Sequence, residues 1–156
     1  MAMVATLSGK SSKIMQQVLD LLPEGENYVK IDKSEGVFMP LIVEKNVCDL
    51  DDVLYGSQMS VFKERFAVSL AHYYEQCGDL MADPEVVFLC YKGPKGWKFA
   101  PVTYRMDYMG LDRRYIYTTP SGSTVLEQRN QKDLRDFCET WLKNIAAQQH
   151  FEAAAD

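Results

Sequence analysis

The stretch Arg65-Phe66-Ala67-Val68-Ser69-Leu70-Ala71-His72-Tyr73-Tyr74 decides the fold. Phe66, Val68, Leu70, His72 and Tyr74 stand on one side of an extended chain, and Ala67, Ser69, Ala71 and Tyr73 on the other. A period of two belongs to a β-strand with one dry face, because successive Cβ atoms leave the pleat in opposite directions. Gln76-Cys77-Gly78-Asp79 stops this strand, and a loop is expected through Met81 to Pro84. The run Val86-Val87-Phe88-Leu89-Cys90-Tyr91 that follows is apolar at every position, as an interior strand is.

Working outward, Gly93-Pro94-Lys95-Gly96 is a hairpin turn, and Trp97 to Tyr108 is the returning strand. Pro101 lies inside that strand and Pro40 inside the extended segment Val37 to Glu44. Each lacks a ladder donor and so marks an edge or a bulge. Tyr28 to Asp32 is extended ahead of the turn Lys33-Ser34-Glu35-Gly36, and Tyr115 to Thr118 is extended ahead of the breaker Pro120-Ser121-Gly122. Tight turns join antiparallel neighbours only.

Helical spacing occurs at the two ends. Ile14, Met15, Val18, Leu19 and Leu22 form one stripe of a helix over 11–22, capped by Ser11 or Ser12 and ended by Pro23 and Gly25. Leu134, Phe137, Cys138, Trp141, Leu142 and Ile145 form a wide aromatic stripe on a helix capped by Asn130. Leu50, Val53 and Leu54 predict a further short helix over Asp49 to Tyr55. The fold class is therefore α+β: a mainly antiparallel sheet of about five or six strands packed against N- and C-terminal helices. Residues 1–10 are expected as a flexible N-terminus, 11–148 as a single domain and 149–156 as a frayed tail.

Composition agrees with one packed domain. At 156 residues with 47% hydrophobic content, the chain is long enough to bury a full core, and it is neither a disordered chain nor a disulfide scaffold. Cys48, Cys77, Cys90 and Cys138 include no Cys-x-x-Cys pair, and reduced thiols in a cytoplasmic protein are expected. The apolar N-terminus Met1 to Leu7 is too short for a signal-peptide core, and no window has the length of a membrane span. The net charge of -5 is uneven: Glu44 to Glu85 holds nine acids and three bases. That stretch suits contact with a basic protein surface, with Tyr55, Tyr73 or Tyr108 as anchors if they face solvent.

Two stretches have chemical potential. In the first, Asp79, Asp83 and Glu85 with His72 would hold a hard divalent ion, Mg2+ or Mn2+, if the strand-loop-strand brought them together, with His72 as ligand or general base. Against this, Gly78-Asp79 and Asp83-Pro84 are the residues an ordinary turn needs, and His72 shares the phase of the core residues, so no cofactor is the favoured expectation. In the second, Lys92, Lys95, Trp97, Lys98, Arg105, Arg113 and Arg114 interleave bases with aromatics, as single-stranded nucleic-acid binders do. A hairpin with wet lysines and a dry aromatic face has the same composition, and that reading is preferred. No nucleophile elbow, phosphate loop or dinucleotide fingerprint occurs, and Cys77 and His72 have opposite strand parity.

The run from His72-Tyr73 through Gly78-Asp79 to Asp83-Pro84-Glu85 resembles the signature of a family of small bacterial domains of unknown function often found on plasmids and conjugative elements. The similarity covers mainly Arg65 to Asp107, and it implies a prokaryotic protein without supplying a reaction. The expectation is a small accessory module acting through protein contact. A metal-dependent enzyme and a nucleic-acid binder are the alternatives.

Overall fold

The computed structural model describes residues 4–45 and 62–151. Helix α1 spans Gly9–Asp20, strands β1 and β2 span Tyr28–Ile31 and Leu41–Lys45, and β3, β4 and β5 span Arg65–Gln76, Asp79–Gly93 and Gly96–Met106. After a 3-10 turn over Asp107–Met109 come β6 at Leu111–Arg114, β7 at Ile116–Thr118, β8 at Thr124–Leu126 and helix α2 at Gln128–Gln148. The first six strands form one antiparallel sheet in sequence order, and β7 and β8 pair as a small second sheet. The fold is α+β, with the helices at the two ends of the chain.

Both helices lie on one face of the large sheet. Ile14, Met15 and Val18 of α1 and Leu134, Cys138, Trp141, Leu142 and Ile145 of α2 close over Val68, Leu70, Val86, Phe88 and Cys90. A second, smaller core lies around Leu89, Tyr91, Ala100 and Val102, where Ile116 of β7 and Leu126 of β8 pack with Val4. The two-sided burial of β4 follows from this arrangement, and it accounts for the unbroken apolar run at 86–91.

Several boundaries differ from expectation for identifiable reasons. Helix α1 begins at Gly9 after Ser8, because Ser11 is fully buried and belongs to the inward stripe instead of capping it. Helix α2 begins at Gln128, and Asn130 bonds back to the Glu127 side chain at 3.0 Å from within the first turn. The expected strand at Val37 to Glu44 is shortened to Leu41–Lys45, leaving Pro40 just ahead of it, where its missing N–H costs nothing. No loop separates residues 81–84 from β4. Cys77 and Gly78, both at positive φ, make a two-residue hairpin turn, and the strand resumes at Asp79. The helix expected at Asp49 to Tyr55 lies outside the described residues, as does Cys48; Cys77, Cys90 and Cys138 are free thiols.

Two bulges set which side chains share a face. Ala71 pairs with Glu85 but Tyr73 with Ala82, so Asp83 and Pro84 together oppose His72. Val87 pairs with Thr103 but Phe88 with Pro101, so Val102 is the extra residue on β5. Each bulge houses a proline within an otherwise continuous strand and reverses the side-chain parity beyond it.

β6 pairs with β5 only at residues 103–106, and other groups satisfy the rest of that edge. Leu7 N–H donates to the Phe99 carbonyl at 2.9 Å, and Tyr115 N–H donates to the Val102 carbonyl at 2.8 Å. The fully buried Gln131 accepts from Ala5 N–H at 2.7 Å and donates to the carbonyls of Ala5 and Pro101 at 2.8 and 2.9 Å. The flexible lead expected over residues 1–10 is thus tied down in its described part. Beyond α2, Gln149 is fully buried and accepts from Lys33 N–H at 2.6 Å, and Phe151 is buried in the main core. No described helix is long and apolar enough to cross a membrane.

Candidate functional site

Among the described residues, the second core covers the sheet face opposite the helices over β4 and β5. Along β1, β2 and β3 that face bears a groove of about 580 Å3. Alternation supplies its floor: Tyr28 and Lys30 from β1, Ile42 and Glu44 from β2, and Tyr73 and Glu75 from β3 project on the same side. Pro40, Tyr74 and Leu80 close the end nearest the β3–β4 turn, and Arg105 closes the β5 side. Leu80 and Tyr28 are 60% and 52% exposed, so large apolar surface remains in water here.

A polar chain crosses three strands beside this groove. The Tyr73 hydroxyl donates to Glu85 Oε2 at 2.5 Å, and Arg105 Nη1 lies 3.9 Å from Glu85 Oε1. Arg105 then makes a two-pronged bond to Asp107, at 2.9 and 3.0 Å, and Asp107 also accepts from Ala82 N–H at 2.7 Å. Burial first, and then the bond to Glu85, pushes the Tyr73 phenol well above its ordinary range. The Arg105 bond, helped by the Ala82 amide, holds the Asp107 carboxyl below its ordinary value, and Arg105 is correspondingly more firmly cationic. By contrast, the side chains of Glu44 and Glu75 make no hydrogen bond or ion pair among the described residues.

The structure places the expected metal ligands apart. His72 is buried on the helix side, its Nδ1 hydrogen-bonding the Pro40 carbonyl at 3.0 Å and its ring edge-on to Trp141 at 5.7 Å. A carbonyl only accepts, so Nδ1 carries the proton. Asp83 lies on that same side in a shallow cavity with Tyr74 and Met106, whereas the bulge turns Glu85 to the groove side. Asp79 is exposed at the hairpin tip beside Cys77. Among the described residues, no three His, Cys, Asp or Glu side chains are grouped to hold a metal ion.

The basic residues are also spread out. Lys95 is exposed in the β4–β5 turn, and Lys92 lies 3.5 Å from Glu64. Trp97 packs on Phe66 at the rim of the main core, 5.5 Å between ring centres, while Lys98 is exposed and paired across from Tyr91. Arg105 is held in the polar chain, and Arg113 and Arg114 lie on β6 at the far edge of the sheet. Of the aromatic anchors, Tyr108 is 80% exposed, Tyr73 is half-buried in the groove, and Tyr55 lies outside the described residues.

Sequence reasoning passed over Tyr28, Lys30, Tyr74 and Leu80, and it met Glu44 and Glu75 only as members of the acidic stretch suited to a basic partner. The signal was present in β1 to β3, where the alternate side chains pointing away from the main core include Tyr28, Lys30, Glu44, Tyr73 and Glu75. What it lacked was the register that sets them side by side. The family model of a domain of unknown function, DUF6908, matches residues 10–151. No curated protein and no solved structure matches the chain. The match spans both helices, both bulges and every strand of the groove, and the chain therefore belongs to the DUF6908 family.

Proposed function

We propose that this domain is a non-catalytic contact module whose groove face engages a protein partner. The observation that carries the proposal is the groove itself: apolar and aromatic side chains at Tyr28, Ile42 and Leu80 line a wide, open floor shared with Glu44 and Glu75. An exposed patch of this kind, rimmed by charge, is what contact surfaces have. The polar side chains beside it are engaged with one another. Tyr73, Glu85, Arg105 and Asp107 form a closed chain of bonds, which suits a rigid floor better than a proton-transfer pair. The likeness of the run His72 to Glu85 to plasmid-borne bacterial domains supports a bacterial accessory role, and the buried thiols Cys90 and Cys138 suit a reducing cytoplasm.

The test is site-specific photo-crosslinking in the native host, with a benzophenone side chain replacing Leu80 or Tyr28 and, as control, the exposed Lys132 on α2. Discrete adducts from the two groove positions and none from position 132 are expected. Groove positions that give no adduct, or the same adducts as position 132, would remove the proposal.

A further inference from the structure

We infer that the groove takes an extended basic peptide segment of the partner, its lysine or arginine side chains lying along the tyrosines of β1 and β3 and the carboxylates Glu44 and Glu75. This inference rests on the contact-module reading and specifies the chemistry of its partner.

Charge complementarity is the first support. Four carboxylates stand in or beside the groove, at Glu44, Glu75, Glu85 and Asp107, against two cations, Lys30 and Arg105. The charge of Arg105 is already shared between Glu85 and Asp107, so it offers little to an incoming anion. Lys30 projects from β1 at the outer edge of the sheet. The acids that remain without a partner among the described residues, Glu44 and Glu75, lie on β2 and β3, further in. An acidic partner segment would leave both carboxylates facing like charge; a basic one pairs them.

Ring chemistry is the second. Tyr28 and Tyr73 come from two strands to one groove, and aromatic faces attract ammonium and guanidinium groups through the ring quadrupole. This protein already makes such a contact elsewhere, with Lys45 Nζ 4.4 Å from the centre of the Phe66 ring. Shape is the third. The groove is open and follows the strands β1 to β3, and Pro40 and Leu80 supply apolar surface beside the charged floor, so a side chain's aliphatic stem and its charged head each meet a matching surface.

The probes are three short extended peptides identical except at the centre, which is Lys, Gln or Glu, each titrated into the full chain by fluorescence anisotropy, with NMR shifts locating the contact. The Lys peptide should bind roughly tenfold tighter than the Gln peptide, with the Glu peptide weakest and the preference shrinking as salt is raised. The double change Glu44→Gln with Glu75→Gln should erase the Lys preference without altering thermal unfolding, and Tyr28→Ala should weaken the Lys peptide by about the same factor. Equal affinity for the Lys and Gln peptides, a preference that survives the double change, or shifts mapping away from the groove would each overturn the inference. If groove-specific crosslinks persist in any of those cases, the contact-module reading stands and only the basic character of the partner falls.

Discussion

Gln131 joins three backbone groups that are far apart in sequence, and it does so without any solvent exposure. Replacing it with alanine strands the buried Pro101 carbonyl and leaves the half-buried Ala5 amide and carbonyl without their partner, which costs about 2 kcal/mol. Urea unfolding of Gln131→Ala should show this loss; a change below about 0.5 kcal/mol would mean that these bonds carry little. Asp107 makes a pH prediction. Its carboxyl is held below its ordinary value of 3.8, first by Arg105 and then by the Ala82 amide. The folded state therefore binds its proton less readily than the unfolded chain does. The stabilisation is present above the ordinary value and fades as the pH falls through the lowered one. Acid titration followed by circular dichroism should show a shallower loss of stability below pH ~4 in Asp107→Asn than in the parent. An unchanged acid limb would contradict the bond.

At the level of elements, the β3–β4 hairpin turns on two residues at positive φ, and Gly78 is the one with no side chain. A Cβ there would meet nothing within 4 Å, so Gly78→Ala isolates backbone strain from crowding. It should cost about 1 kcal/mol by thermal unfolding, and a neutral result would indicate that the turn relaxes to another type. This hairpin also shows where sequence periodicity carries and where it stops. Phe66 to Tyr74 and the stripe of α2 are legible because burial on one side imposes a period, and Val86 to Tyr91 because burial on both sides makes an unbroken apolar run. The segment 79–84 reads as loop because Gly78, Asp79, Asp83 and Pro84 have turn chemistry, yet a bulge opposite His72 absorbs the proline and the strand continues. The parity reversal at that bulge sends Glu85 to one side of the sheet and His72 to the other, which a reading of residue types alone has no means to anticipate. The groove was hidden for the same reason: Tyr28, Glu44 and Tyr73 belong to three strands, and only register makes them neighbours.

At the scale of the whole fold, the described segments that lead into α1 and that form α2 do much of the covering of the sheet. Leu7 is buried in the main core while its amide bonds β5, so Leu7→Ala removes apolar contact at a point where the N-terminal segment also completes a strand edge. A loss of about 2 kcal/mol is expected in chemical denaturation. A variant as stable as the parent would show that this segment merely rests on the sheet. Helix α2 holds the other end, with Gln131 reaching back to Ala5 and Gln149 to Lys33, spans of 126 and 116 residues. A ribosome releases α2 after every strand it packs against. Until it emerges, Ala5 and the turn at Lys33 lack their side-chain partners, and the apolar side of β3 and β4 has only α1 to pack beneath. The domain therefore completes its core only once α2 has emerged, and ribosome-bound chains halted before position 131 should be cut by protease more readily than chains that include α2.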